Sequence, residues 1–365
     1  MRLFYYSIIT LLIFSFSSCK VGRFFVHNVA NITDHKIFPN HLIENGDSVF
    51  YFTEGREKKP KTIEVNQQEV EFEAFLKDQK TVSFLVIKND SLIYERYFKN
   101  YGEEDIVASF SMAKSVISIL IGIAIDEGKI VSVDEPVTNY IPELAKNGFD
   151  KVTIKHLLQM TSGLDYNEGY FNPFGNVASF YYGTKLRKET INLKLKQEPG
   201  TKFEYLSGNT QILGLILERA LKDKTISKYL EEKLWIPLGM EYDASWSTDK
   251  KKDGIEKTFC CLNARAKDFA KIGRLYLNKG NWNGKQIVSE EWVKESTKVD
   301  RSDGSVRFYQ YQWWLPSEDG DFMARGILGQ YIYVHPEKNL IIVRLGKNEG
   351  KVSWFSVLPV IGKAY

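Results

Sequence analysis

The stretch Ser109-Phe110-Ser111-Met112-Ala113-Lys114-Ser115 opens an apolar run over residues 116–125, and its reading decides the fold. A run that is apolar on every side is a helix buried in a core, not a surface amphipath. Its first turn nevertheless carries a lysine. A cation at a helix N-terminus opposes the macrodipole, and an ammonium buried without a partner is costly, so two separate effects disfavour Lys114 where it stands. Ser111 lies one turn earlier on the same face. The pair therefore reads as a hydroxyl nucleophile and the amine that activates it. The plainer reading is that Ser109 or Ser111 caps the helix and Lys114 snorkels to water, and S-x-x-K taken alone favours that plainer reading.

Working outward, residues 81–87 and 92–98 alternate or run apolar around Lys88-Asn89-Asp90, which predicts a β-hairpin preceded by a helical pattern at 70–79. Downstream, Glu127-Gly128 ends the buried helix. A short helix follows at 154–160. Residues 165–182 are rich in Gly, Asn, Tyr and Phe without a period and predict a long aromatic loop, a natural cleft wall. Helical patterns continue at 184–196, 207–221, 226–234, 264–278 and 289–296, with a turn at 280–285. Strands are predicted at 309–315, 322–327, 331–335 and 340–345, before a final helix over 353–361. Strands return after the helices, so the fold class is α+β: an antiparallel sheet flanked by helices, with an inserted mostly α-helical lobe. The predicted division is a leader at 1–19, a flank of unassigned role at 20–67 and a main domain at 68–365. Within it a mixed lobe takes 68–150 plus 260–365 and an α lobe takes 151–259.

The composition, 365 residues with 43% hydrophobic and 26% charged, is that of a globular protein too long for one lobe of average size. Net charge is +3, and lysines mix with acids at 54–64 and 249–256, which describes solvated loops and not a nucleic-acid stripe. Cys260 and Cys261 are adjacent, so no disulfide framework follows; they read as small buried side chains. C-x-x-C and H-E-x-x-H are absent, and neither a metal nor another cofactor is expected. Residues 1–19 combine Arg2, an apolar segment at 3–16 and Ser17-Ser18-Cys19, a signal peptide pattern whose apolar part is short for a bilayer span. Its end resembles the bacterial lipoprotein signal, with Cys19 as the lipidated residue and Phe16 departing from the usual aliphatic. The expected location is the cell envelope, periplasmic or outer-membrane-associated, held to the membrane by the N-terminal lipid. Plain secretion or an uncleaved anchor is the alternative.

A serine hydrolase needs a base for its nucleophile and donors for an oxyanion. No G-x-S-x-G elbow exists, His156 sits in an apolar helix pattern and His335 precedes Pro336, so both histidines read as structural and a lysine-assisted serine is the better candidate. Ser111-Met112-Ala113-Lys114 resembles the S-x-x-K motif of penicillin-recognising serine hydrolases. Tyr205-Leu206-Ser207 resembles the Y-x-N or Y-x-S motif of the class C β-lactamase type. Leu157-Leu158-Gln159-Met160-Thr161-Ser162-Gly163-Leu164, Pro237-Leu238-Gly239-Met240, residues 268–277 and Trp282-Asn283-Gly284-Lys285 match in order, so the similarity spans about residues 70–365. The chain is similar to β-lactamase-related esterases and amide hydrolases, including the 6-aminohexanoate-dimer hydrolases, which implies a β-lactamase/transpeptidase-like fold.

The third motif departs from the family pattern. Ile327-Leu328-Gly329-Gln330 stands where K-T-G or H-x-G belongs: Gly329 keeps the residue that lets backbone approach substrate, and Ile327 supplies no cation for a substrate carboxylate. Arg325, two residues upstream on the same strand face, is the conceivable displaced anchor. The resemblance implies acyl transfer to Ser111, with Lys114 and Tyr205 sharing the proton traffic and the choice of base left open. It also implies an oxyanion hole from the backbone N–H groups of Ser111 and Gln330. Ser207 is either a helix cap or a member of the proton network, and Tyr166, Tyr170, Trp313 and Trp314 are cleft-wall candidates beside Ile327 and Gly329. The implied partner is a small-molecule ester or amide. A peptidoglycan-directed D-amino acid peptidase or β-lactamase is the alternative, and a non-catalytic binding protein on the same fold is the third reading.

Overall fold

The computed structural model describes residues 20–27 and 29–365. The leader expected at 1–19, with Cys19, lies outside the described residues. The described chain begins with a short helix, Lys20–His27 (α1). The expected hairpin follows as Thr81–Lys88 (β1) and Ser91–Tyr97 (β2), joined through Asn89 and Asp90, both with left-handed φ, as a tight two-residue hairpin turn requires. The apolar run forms Met112–Asp126 (α2), buried on all sides up to Ala124 and closed at Glu127 by Gly128 with φ +68°. Between the strand groups lie Asn176–Tyr182 (α3), Ser207–Leu221 (α4) and Ala266–Leu277 (α5). The strands return as Phe322–Gly326 (β3), Gln330–His335 (β4) and Leu340–Gly346 (β5), and Trp354–Lys363 (α6) ends the chain.

These strands make one eight-stranded sheet in the order Tyr309–Gln310, Trp313–Trp314, β3, β4, β5, β1, β2, Thr53–Glu54. Every pairing is antiparallel except that of Thr53–Glu54 with β2. Because side chains alternate along a strand, β1 divides its residues between two cores: Leu85 and Ile87 go to one face and Phe84 and Val86 to the other. The first face is covered by α5 and α2. Gly273 lets α5 lie close, since a Cβ there would stand 2.9 Å from methyls of both Ile332 and Ile341. The second face is covered by α6 and the helix Phe72–Asp78, through Trp354, Leu358, Phe72 and Phe75 against Phe84, Tyr333 and Ile342. Each fully buried side chain of this size contributes on the order of 2 kcal/mol.

Several sequence expectations are corrected. The helix expected at 70–79 is a hairpin, Thr62–Val65 with Gln68–Glu71, followed by the shorter helix Phe72–Asp78. The Glu71 carboxylate accepts from Glu73 N and Ala74 N, and that cap fixes the later start. The flank is not featureless: Asn40–Ile43 pairs with Ala244–Ser247 in a second sheet that continues through Leu262–Ala264 to Val107–Ala108. The helix expected at 184–196 is confined to Leu186–Ile191, because Lys194–Leu195 pairs with Leu164–Asp165. The aromatic loop after residue 165 winds into α3 from residue 176. The strand expected at 309–315 is a hairpin broken at Tyr311 and Gln312, both with left-handed φ. Gln312 holds that break by donating to the Leu157 and Leu158 carbonyls and accepting from Thr210 Oγ1. Finally, Cys260 and Cys261 are buried as expected but are joined to each other by a vicinal disulfide, a pairing of neighbours that needs no distant partner.

Candidate active site

The site starts from the turn that leads into α2. Ser109 N donates to the Leu262 carbonyl at 2.8 Å, which fixes the turn to the second sheet, and Phe110 adopts φ +45°. A bulky residue in that region costs on the order of 1–3 kcal/mol, so the surrounding packing holds it there. The turn leaves Ser111 at the N-cap position with no side-chain capping bond, so its hydroxyl is not spent on the helix. Lys114 does not snorkel: it is 1% exposed. Its Nζ donates to Ser111 Oγ at 3.0 Å, Ser207 Oγ at 3.2 Å and the Phe259 carbonyl at 2.7 Å. These three neutral acceptors match an ammonium's three donors without cancelling its charge. Burial therefore pulls the Lys114 pKa down to about 8, against a smaller opposite pull from Glu168.

The other side of the site is the approach to α4. Leu206, not Ser207, occupies the N-cap position, so the capping reading of Ser207 is corrected. Ser207 lies just inside the helix, where its N donates to Glu168 Oε2 at 2.7 Å and its Oγ to Glu168 Oε1 at 2.6 Å. A carboxylate at a helix start satisfies an orphan N–H and complements the dipole. Glu168 was not foreseen. It stands in the aromatic loop, and no spacing rule ties a loop residue to a helix that begins decades of residues later. Tyr205 presents its hydroxyl to Ser111, and burial drives its pKa upward although that hydrogen bond and Arg325 oppose the shift. Its ring packs edge-on against Tyr309 and tilted against Trp314, with Lys114 Nζ 5.2 Å from the ring centroid.

The third wall is the turn between β3 and β4. Leu328 and Gly329 have φ of +64° and +85° and reverse the chain, so Ile327 and Leu328 project into the site. Gly329 itself does not line it. A side chain there would collide with the buried Arg344 guanidinium, which donates from Nη1 to the Gly329 carbonyl, so that glycine makes room for Arg344. The glycine that meets the site is Gly326, where a Cβ would collide with the Ser109 carbonyl and stand 3.2 Å from Ser111 N. Gln330 starts β4 opposite Gly326, with its side-chain amide tied to Gly346 by bonds in both directions. β3 stops before Ile327, so the alternation argument for Arg325 does not extend to it. Arg325 instead lies 5.2 Å over the Trp314 ring, from where its charge still acts on the Tyr170 and Tyr205 hydroxyls.

Together these elements enclose a cavity of about 220 Å³ with Ser111 and Ser207 on its wall. The rest of the lining is apolar or aromatic, with Phe110, Tyr170, Phe259, Ile327 and Leu328 near the hydroxyls and Phe24 and Val29 entering from the N-terminal segment. Of the expected cleft-wall residues, Tyr170 and Ile327 are on this wall. Tyr166 is buried beneath it against Phe180, Trp313 is in the core stacked on Tyr276, and Trp314 packs against Tyr205 and Tyr309. A larger polar groove of about 680 Å³, between Glu57 and Lys267, contains none of the expected site residues. A hydroxyl in contact with an amine of lowered pKa, facing a phenol that stays protonated, is an arrangement for proton transfer at neutral pH.

The Beta-lactamase family model matches residues 71–353. The 6-aminohexanoate-dimer hydrolase of Paenarthrobacter ureafaciens is 29% identical over 296 residues, 75% of this chain and 74% of its own. A Bacillus anthracis protein provisionally called a 6-aminohexanoate-dimer hydrolase superposes with TM-score 0.80 at 26% identity, covering 92% of this chain and 91% of that one. A family VIII carboxylesterase superposes with TM-score 0.62 at 19% identity, covering 80% and 94%, a likeness of fold.

Proposed function

Since the chain belongs to the Beta-lactamase family and is a serine hydrolase of it, we propose that it cleaves an ester or amide with an uncharged, apolar acyl side through an acyl-enzyme on Ser111. The observation that carries this reading is the sealed contact of Lys114 Nζ with Ser111 Oγ at 3.0 Å, on the wall of an apolar cavity. With its pKa lowered to about 8, a useful fraction of Lys114 is neutral near pH 7 and can accept the serine proton. Tyr205, with its pKa raised, remains a phenol and serves as the acid.

In the first step the Ser111 Oγ–H proton passes to Lys114 Nζ while Oγ bonds to the carbonyl carbon. The negative charge on the carbonyl oxygen falls to the backbone N–H groups of Ser111 and Gln330, the pair that the family resemblance implies. Collapse breaks the bond to the leaving group, which takes the Tyr205 hydroxyl proton, and Lys114 returns its proton to Tyr205. Water then repeats the sequence and releases the acid. Glu168 orients Ser207, and Ser207 holds Lys114, so both act as positioning residues.

The cavity supports an apolar acyl group because Ile327 stands where a carboxylate anchor would be needed and its neighbours on the wall, Phe110, Phe259 and Leu328, are apolar as well. That weighs against a D-amino acid peptide or a β-lactam, both of which present a carboxylate. The name of the 29% identical relative supports a linear amide as the bond cleaved, and the charged ends of that relative's dimer are not part of the proposal. The test is hydrolysis of aryl acyl esters and linear amides by the protein and by Ser111→Ala, with folding checked by circular dichroism. Turnover is expected to vanish in the variant; a folded Ser111→Ala protein that retains full activity sinks the proposal.

A further inference from the structure

Single apolar side chains in water are ordinary, but clusters are not. Among the described residues, six of the twelve large hydrophobic side chains left exposed fall in two segments: Phe25, Val26 and Val29, and Tyr170, Phe171 and Phe174. Phe171 is 82% exposed and Phe174 75%. The segments meet at one place, because Val29, Tyr170 and Phe171 line the mouth of the Ser111 cavity. α1 is fastened there: Phe24 packs edge-on against Tyr182, and Lys20 Nζ donates to Ser179 Oγ at 2.6 Å.

Lys20 is thereby pinned beside the cavity. The sequence that precedes it is apolar over 3–16 and ends in Ser17-Ser18-Cys19. A lipid on Cys19, or an uncleaved anchor, would attach the chain to a bilayer next to Lys20 and so beside the exposed aromatic patch. No such positional demand points to a protein partner. We propose that this face docks on a lipid surface, so that the Ser111 cavity opens onto the membrane. Aromatic and aliphatic side chains around a short amphipathic helix are what an interfacial contact uses. Docking stands on surface and position alone. The consequence that substrate with an apolar acyl chain reaches Ser111 from the bilayer rests on the hydrolase reading.

The test uses the full chain in phosphatidylcholine and phosphatidylglycerol vesicles whose acyl chains carry bromine, which quenches nearby indoles. Phe25→Trp and Phe174→Trp each add one emission to be read against the parent, and neither position lines the cavity. Tyr51→Trp, at a residue 68% exposed in the separate polar groove, is the control. Bromolipid is expected to remove most of the added emission at positions 25 and 174 and to leave that at 51. Vesicle-bound protein whose emission at 25 and 174 survives overturns the proposal, as does failure to associate with vesicles. Shielding of both indoles from iodide without lipid also overturns it, since a second copy or the leader would then cover the patch. Hydrolysis of a water-soluble ester in the same samples reports separately on the catalytic reading, so a docked but inactive protein would remove that reading alone.

Discussion

Lys114 and Lys271 are both sealed from water, at 1% and 0% exposure, yet their surroundings differ in kind. Lys271, within α5, has Glu241 Oε1 at 3.2 Å, Asp268 Oδ1 at 3.6 Å and the Gly239 carbonyl at 2.8 Å. Lys114 has two hydroxyls and a carbonyl, and the nearest influential carboxylate, Glu168, reaches it only through Ser207. Burial lowers the pKa of both amines. Only for Lys271 do adjacent carboxylates oppose it, and Asp268 shares the burden with a pKa raised to about 6 by its own burial. The difference teaches that burial alone does not mark a working amine: Lys271 is matched by charge and reads as a structural part, whereas Lys114 is matched by neutral acceptors, one of them the hydroxyl it would activate.

Exchanging each lysine for methionine gives the largest contrast. Lys114→Met is expected to lower turnover by about 10³-fold or more while removing no partner charge, so its melting temperature changes little. Lys271→Met leaves Glu241 and Asp268 unpaired in the core and is expected to cost about 3–5 kcal/mol of stability, with kcat of the folded fraction unchanged. Urea unfolding and ester turnover measured on both variants would break the comparison if the effects were reversed.

The two regions were not equally legible beforehand. The apolar period of α2 and the extent of α4 are written locally, and so is the Asn89-Asp90 hairpin, because each rests on side chains within a few residues. Lys114 also announced itself, as a charge where the helix dipole and burial both oppose one. The flank strand Asn40–Ile43 was hidden because its partner is Ala244–Ser247 and its own four residues show no clear alternation. Glu168 and Gly326 were hidden for the same reason at finer scale. One is brought to Ser207 by the path of a loop, the other to Ser111 by the end of a strand in a different part of the sheet. The third-motif glycine shows the converse: Gly329 was assigned to substrate by pattern, and Arg344 behind it accounts for it.

Smaller changes sharpen the contrast inside the site. Tyr205→Phe removes the acid and is expected to lower kcat by about 10²-fold with the fold intact, measured on an amide, whose leaving group needs the proton most. Glu168→Gln is the mildest. Glu168 raises the Lys114 pKa, so its neutralisation moves the acid limb of the rate profile to lower pH, with an effect of no more than about tenfold, the size of one pKa unit. A limb that moves to higher pH would contradict the assignment of Glu168.

The central claim is that neutral Lys114 takes the Ser111 proton. It is tested most directly by the rate at which a fluorophosphonate acylates Ser111 as pH is varied, with the modified residue identified by mass spectrometry. Below its pKa of about 8 the amine is protonated and cannot accept, so the rate is predicted to rise with pH through that value and level off above it. In Lys114→Met the limb should disappear with most of the rate. Labelling at another residue, or a rate flat across that range in the unaltered protein, would contradict the account.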